Sequence, residues 1–385
     1  MYSNRTNKLI KTVQNDFQTS KYWEFEKVLG AGTFGLAVLL KEKDSAVNST
    51  KRMTLKIAQS IGTEQLQNEI YWLKRLHGAK HIVKMLASCD ELVDHIGETE
   101  KRNAVMQAID RVLAMSGKID RIPPITAFDT LDSLWGPALA IEYLENGDLW
   151  AFVQQLVQKG TIAPNRVLWS FFLCLVRACI GMANPIGSSL DEPSILETIP
   201  TDGRPPFQLS HDDISLRNIM LGSLDGLDEH KASPPIKLID FGTATENSRD
   251  GESPMTTNIT AVAQIIGDLI ERETMRERVA EWRGKRTHAG ILLPDPSGND
   301  PYPLVDPELR DLLARCMYEN GKDRPSLVEL LNITSRAVLT KTPEMFPDPT
   351  RETDAAIRQF WQELIYDAPF PELDAEVRDE DVPME

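Results

Sequence analysis

The chain has 385 residues, of which 41% are hydrophobic and 26% charged, and its 58 acidic against 42 basic side chains leave a net charge of −16. Such a composition predicts a globular protein with enough length for two packed lobes and sizeable cores. The acidic balance argues against partners that present phosphates, whether nucleic acid or an anionic membrane surface, and leaves basic peptides or metal-chelated nucleotides as compatible ligands.

Residues 1–19 read as an N-terminal extension. The start, "MYSNRTNKLIKTVQNDFQTSKYW", has no continuous apolar run of the signal-peptide kind, so a cytoplasmic or nuclear protein is expected. From residue 23 the pattern is strand-like: "WEFEKVLG", a glycine turn, "LAVLL", a polar turn, then "MTLKIA". In "MTLKIA" the alternation sets Met53, Leu55 and Ile57 on one face and Thr54, Lys56 and Ala58 on the other, so Lys56 faces away from the apolar set. Leu66, Ile70, Leu73 and Leu76 then recur at helical spacing, with Glu69 on an adjacent face and Gly78 just past the end. Taken singly, Lys56 and Glu69 read equally well as surface charges.

After "IVKMLASC" a polar stretch at about 90–134 reads as an insertion. The strand "ALAIEYL" (138–144) leads through "ENGDL" into a helix. The most apolar run, "VLWSFFLCLVRACIGMA" (167–183), is interrupted by Arg177 and predicts a buried helix rather than a membrane span. Residues 184–208 read as a surface loop, followed by "NIML", a turn, "IKLIDFG", and apolar helices at 259–272, 307–318 and 325–339. The segment 341–385 reads as an acidic C-terminal tail, disordered over its final dozen residues. Cys89, Cys174, Cys179 and Cys316 show no paired metal-ligand spacing and read as reduced thiols.

Three short stretches carry chemistry. "GAGTFG" (30–35) fits G-x-G-x-x-G, but its third glycine opens a strand where a dinucleotide fold would open a helix, which favours a phosphate-covering hairpin. "HDDISLRNIM" (211–220) gathers a histidine, two carboxylates, an arginine and an asparagine beside an apolar run. "DFG" (240–242) sets a carboxylate where a strand ends, and Mg²⁺ takes such oxygen ligands together with phosphate oxygens. A glycine hairpin, strand lysine, helix glutamate, apolar hinge, His-x-Asp with an Asn five residues on, and DFG follow one another in order.

That succession resembles the eukaryotic protein kinase catalytic domain over roughly residues 20–337, and "ENGKDRPSLVELL" (319–331) is similar to the motif near that domain's end. Long insertions and a shortened activation segment are similar to divergent kinase-like proteins of fungi. The resemblance implies an α+β bilobal fold, with a small β-rich N-lobe and hinge at 20–144 and a larger, mainly helical C-lobe at 145–340. It implies an ATP- and Mg²⁺-dependent transfer of the γ-phosphoryl group to a protein hydroxyl, with Ser/Thr specificity as the working expectation. Asp213 would be the catalytic base, Asn218 and Asp240 the Mg²⁺ ligands, Lys56 the phosphate-binding lysine and Glu69 its ion-pair partner. Gly30, Gly32 and Gly35 would let backbone approach the phosphates, Ile141 would stand as gatekeeper, Glu142 and Leu144 would offer backbone groups to adenine, and Asp148 would meet the ribose. His211 matches a structural histidine.

Departures from the family pattern keep other readings open. Asp212 stands where an arginine usually receives an activation-loop phosphate, Ser215 and Arg217 do not assign the substrate hydroxyl, and Ala37 replaces the customary valine. No Ala-Pro-Glu follows DFG, "GESPMTT" (251–257) does not match it, and Arg324 is left without its expected glutamate. A pseudokinase that binds nucleotide or a partner, and a small-molecule phosphotransferase, are the alternatives. Neither the protein substrate nor the oligomeric state is legible.

Overall fold

A computed structural model of the chain describes residues 4–20, 23–32, 35–43, 51–58, 62–89, 137–188, 192–224, 227–247 and 251–366. The predicted insertion and the acidic finish lie outside them. The fold is α+β, and the described residues form two compact units. Unit 1 comprises residues up to 67 and 86–143, and unit 2 comprises 68–85 and 144–366.

Unit 1 is built on a sheet of five strands, β1 (Trp23–Ala31), β2 (Gly35–Glu42), β3 (Arg52–Ala58), β4 (Met85–Cys89) and β5 (Ala138–Glu142), in the order β1-β2-β3-β5-β4. Strands β1, β2, β3 and β5 pair antiparallel. Alternation puts Leu36, Val38 and Leu40 of β2 and Met53, Leu55 and Ile57 of β3 into one core. A helix, α1 (Asn4–Thr19), adds Ile10, Val13 and Phe17, an i, i+3, i+7 stripe, to that same core. Residues 4–19 are therefore part of the β-rich unit and not an appended extension. The face predicted to be polar is also less open than the alternation suggested: Thr54 and Ala58 are buried and Lys56, registered between Ala37 and Leu139, is half-buried.

Unit 2 is mainly helical. Its elements include the C-terminal part of α2 (Thr63–Arg75), then α3 (Leu149–Gln158), α4 (Asn165–Ala183), α5 (Pro254–Glu271), α6 (Pro307–Cys316), α7 (Leu327–Thr340) and α8 (Asp354–Trp361). By length and composition alone α4 could cross a bilayer, but it is buried along nearly its whole length, and both α5 and α7 pack against it. Burying both faces of one apolar helix removes more hydrocarbon from water than any other element here, which makes α4 the axis of this unit.

Of the segment 341–385 expected to be a tail, the described part, 341–366, is folded. Trp361 of α8 stacks on Phe152 at 5.5 Å between ring centroids and donates from its indole to Ala232 O at 2.8 Å. Glu352, 1% exposed, accepts from Asn165 N at 2.7 Å and Arg166 N at 3.0 Å, two amide donors at the start of α4 that have no partner within the helix. Residues up to 366 thus belong to unit 2.

One buried carboxyl gives a pH prediction. Asp268 of α5 accepts from Met275 N at 2.7 Å, and burial raises its pKa from the ordinary 3.8 to about 6, with Glu271 acting in the same direction. An acid whose folded-state pKa is raised penalises the fold above that pKa, and the penalty disappears below the unfolded value. That difference corresponds to at most about 3 kcal/mol. Asp268→Asn, which keeps the acceptor, is expected to raise unfolding free energy in urea at pH 8 and to lose most of that gain toward pH 4. A gain of the same size at both pH values would contradict the assignment.

Candidate functional site

In unit 2 a two-stranded ribbon brings two of the singled-out stretches together. β6 (Ile219–Leu221) follows the 211–218 loop directly, β7 (Ile236–Leu238) runs into Asp240, and the pair is antiparallel with Ile219 opposite Leu238. Register therefore carries Asn218, just before β6, to the end of β7, where Ile239 N donates to Asn218 O at 2.9 Å. Asn218 also donates through its amide to Asp213 twice, to the carboxylate Oδ2 at 2.7 Å and to the backbone O at 2.9 Å. The carboxylate and the amide expected to share a site are thus bound to each other.

Electrostatics link Asp240 to the same group. Burial pushes the Asp213 carboxyl above the usual carboxylate range, and the nearby Asp240 charge pushes it the same way against the Asn218 hydrogen bond. Asp240 and Asp212 both have φ in the left-handed region, +66° and +62°, a conformation that costs a non-glycine residue about 1–2 kcal/mol. Such backbone is retained only where the surroundings hold it. Ser210 Oγ donates to Asp212, Ala244 N closes a turn on Phe241 O at 3.2 Å, and Ser210 pairs with Thr245 through backbone bonds of 2.8 and 2.9 Å.

His211 is a fastener here. Its Nδ1 accepts from Asp213 N at 3.3 Å, which assigns the proton to Nε2, and Nε2 donates to Ile239 O at 3.0 Å. Its ring meets Phe241 edge-on at 4.6 Å. The loop is then tied to α5 by a residue the sequence did not single out: Asn258, 3% exposed, accepts from His211 N at 3.1 Å and donates to Leu209 O at 2.7 Å. From the other side α2 grips the 240–244 turn. Asn68 donates to Gly242 O and Ala244 O, each at 2.9 Å, and the Trp72 indole donates to Ala244 O at 3.1 Å. Glu69, between these two, is buried.

The remaining residues fall where local rules put them. Asp148 caps α3 by accepting from Ala151 N at 2.7 Å, and burial raises its pKa. Leu144 is buried in unit 2, and Arg217 lies over the Trp150 ring at 4.9 Å. In unit 1, Gly32 N donates to Gly35 O at 3.0 Å and closes the glycine hairpin. A Cβ on Gly35 would come within 2.6 Å of Ile57 O, so the packing of β2 on β3 itself requires glycine there, whereas Gly30 and Gly32 have open space beside them. Ile141 is buried opposite Thr54, and Glu142 ends β5 opposite Met53. Lys56 and Glu69 lie in different units.

Arg324 does have a carboxylate partner. Its guanidinium donates to Glu252 at 2.5 and 2.9 Å, to Tyr318 O at 2.8 Å and to Thr256 O at 3.2 Å. Glu252 lies in "GESP", the stretch in which the sequence shows no Ala-Pro-Glu, and stands 72 positions before Arg324. Bidentate geometry with the arginine side chain 6% exposed makes this a pair that anchors the start of α5. Glu252→Gln is expected to cost about 1–3 kcal/mol, because a buried guanidinium loses its charged acceptor. Chemical denaturation should show this loss, against less than about 0.5 kcal/mol for the exposed Glu246→Gln; equal effects would show that the pair adds nothing.

Compared with protein-family models and with curated proteins, the chain gives no match.

Proposed function

We infer that the chain is a protein kinase that uses ATP and Mg²⁺ to phosphorylate a protein hydroxyl. The observation that carries this reading is the bonded Asp213–Asn218 pair with Asp240 close enough to raise the proton affinity of Asp213. Two carboxylates and an amide side chain form a hard-oxygen donor set, which fits Mg²⁺ better than a soft metal. Asn218 and Asp240 would hold the ion. When bound, it neutralises phosphate charge and holds the transferred group in line.

The chain's own residues supply the rest. Asp213 accepts the proton of the attacking hydroxyl, and its raised proton affinity moves it in the direction that a base working near neutral pH requires. Asn218 orients that carboxylate, and His211 and Asn258 fix the loop that carries it. In unit 1, Gly30 and Gly32 leave backbone open to phosphate oxygens, and Lys56 is assigned to the phosphate charge. Glu142 and Leu144 are assigned to adenine through their backbone groups, and Asp148 to the ribose. Because Asp212 stands at the phosphate-receiving position, activity should not need a phosphorylated activation segment.

Saturating ATP with Mg²⁺ is expected to raise the melting temperature of the full chain, since a ligand at one hundred times its Kd contributes about 2.7 kcal/mol. The shift should fall sharply in Asp240→Ala. A chain that shows no shift with nucleotide and metal together would not be a kinase of this kind.

A further inference from the structure

A second constellation in unit 2 lies apart from the residues just described. His81, in the loop before β4, Cys174, in the middle of α4, and His230, in the turn between β6 and β7, each aim one ligand atom at a common point. The three atoms lie within 4.8 Å of one another and all three residues are buried. His81 Nε2 is 3.1 Å from His230 Nε2, and Cys174 Sγ is 3.7 Å from His230 Nε2. A four-coordinate zinc, with bonds of about 2.0–2.1 Å to nitrogen and about 2.3 Å to sulfur, sets N···N near about 3.3 Å and N···S near about 3.6 Å. The observed spacings straddle these values.

The surroundings are those of a metal-binding histidine. Glu197, 1% exposed, accepts from His81 Nδ1 at 2.8 Å and from His81 N at 2.7 Å, which fixes the ring with its Nε2 facing His230 Nε2. Arg177 in turn donates to Glu197 O and pairs with Glu229.

We propose that His81 Nε2, His230 Nε2 and Cys174 Sγ bind one zinc ion, with Glu197 as the residue that positions His81. The N₂S donor set selects zinc over Mg²⁺ or Ca²⁺, which take oxygen ligands. On binding, the one proton held by the His81–Cys174 pair passes to solvent, His230 presents Nε2 in its Nδ1–H form, and a water molecule would complete the four-coordinate shell. The role is structural. Leu238 N donates to His81 O at 2.9 Å and Val83 N to Leu238 O at 3.0 Å, so the ion would fasten α4 and the His81 loop to the strand that ends two residues before Asp240. This site is independent of the kinase reading and would stand if that reading failed.

The test uses the full-length chain, stripped of metal with a chelator and titrated with Co²⁺. One equivalent is expected to give a thiolate-to-cobalt charge-transfer band with the ligand-field absorption of a four-coordinate ion, and one equivalent of Zn²⁺ should remove both. Cys174→Ala should abolish the charge-transfer band, whereas Cys179→Ala, in the same helix, should keep it. Should Cys174→Ala fail to fold, X-ray absorption at the zinc edge of the wild-type protein decides, with one sulfur and at least two nitrogens expected in the first shell. Folded wild-type protein that takes up no stoichiometric cobalt or zinc, a band that survives in folded Cys174→Ala, or a zinc shell without sulfur would each overturn the proposal.

Discussion

Replacing Asp213 by asparagine is expected to lower phosphoryl transfer by about 10²–10⁴-fold, the usual contribution of a positioned general base, while the stabilisation by Mg²⁺ and ATP persists. The argument rests on what the substitution keeps. Asparagine has the shape of aspartate and can still accept from the Asn218 amide that bonds Asp213 Oδ2 at 2.7 Å, but it cannot take up a proton. Neither of the residues assigned to the metal, Asn218 and Asp240, is changed, so metal affinity is not expected to collapse. Measured side by side, turnover should fall and the thermal shift should remain. Unchanged turnover would remove Asp213 from the role of base, and a joint loss of both signals would make it a binding group instead.

Asn258→Leu is expected to cost about 2–6 kcal/mol of unfolding free energy, since it strands two buried backbone groups at about 1–3 kcal/mol each. Those groups are the His211 N–H and the Leu209 C=O, both in residues almost wholly shielded from water. Leucine fills nearly the same volume, which keeps a cavity from supplying the effect. The loop carrying Asp213 should loosen with it, so turnover is expected to fall even in molecules that remain folded. Guanidinium denaturation followed by both fluorescence and circular dichroism would measure the loss. A change below about 0.5 kcal/mol would mean that the loop finds these partners elsewhere.

What could be read from the sequence was local. Alternation in β2 and β3 and the helical period of α2 each encode a buried face, and the apolar run of α4 encodes burial all round, so the elements appear where expected. The Asp213–Asn218 bond is likewise a five-residue contact. The missed features join residues far apart in the chain. Glu252 and Arg324 are 72 positions apart and His81 and His230 are 149 apart, and spacing rules scan only short windows. Ile10, Val13 and Phe17 do carry a helical period, but among twelve polar or charged residues of a sixteen-residue helix the stripe is too thin to mark a core. Glu352 and Trp361 were hidden by the prolines around them, which suggested a tail although the segment docks on the start of α4 and on Phe152.

The most direct test of the account is transfer of radiolabelled γ-phosphate from ATP to a pool of peptides, basic proteins and small metabolites, by wild-type protein and by Asp213→Asn. The account predicts label on peptide or protein hydroxyls, dependent on Mg²⁺ and lost in the variant. Label only on metabolites would make the chain a small-molecule phosphotransferase, and saturable nucleotide binding with no label anywhere would make it a binding protein; either result contradicts a protein kinase.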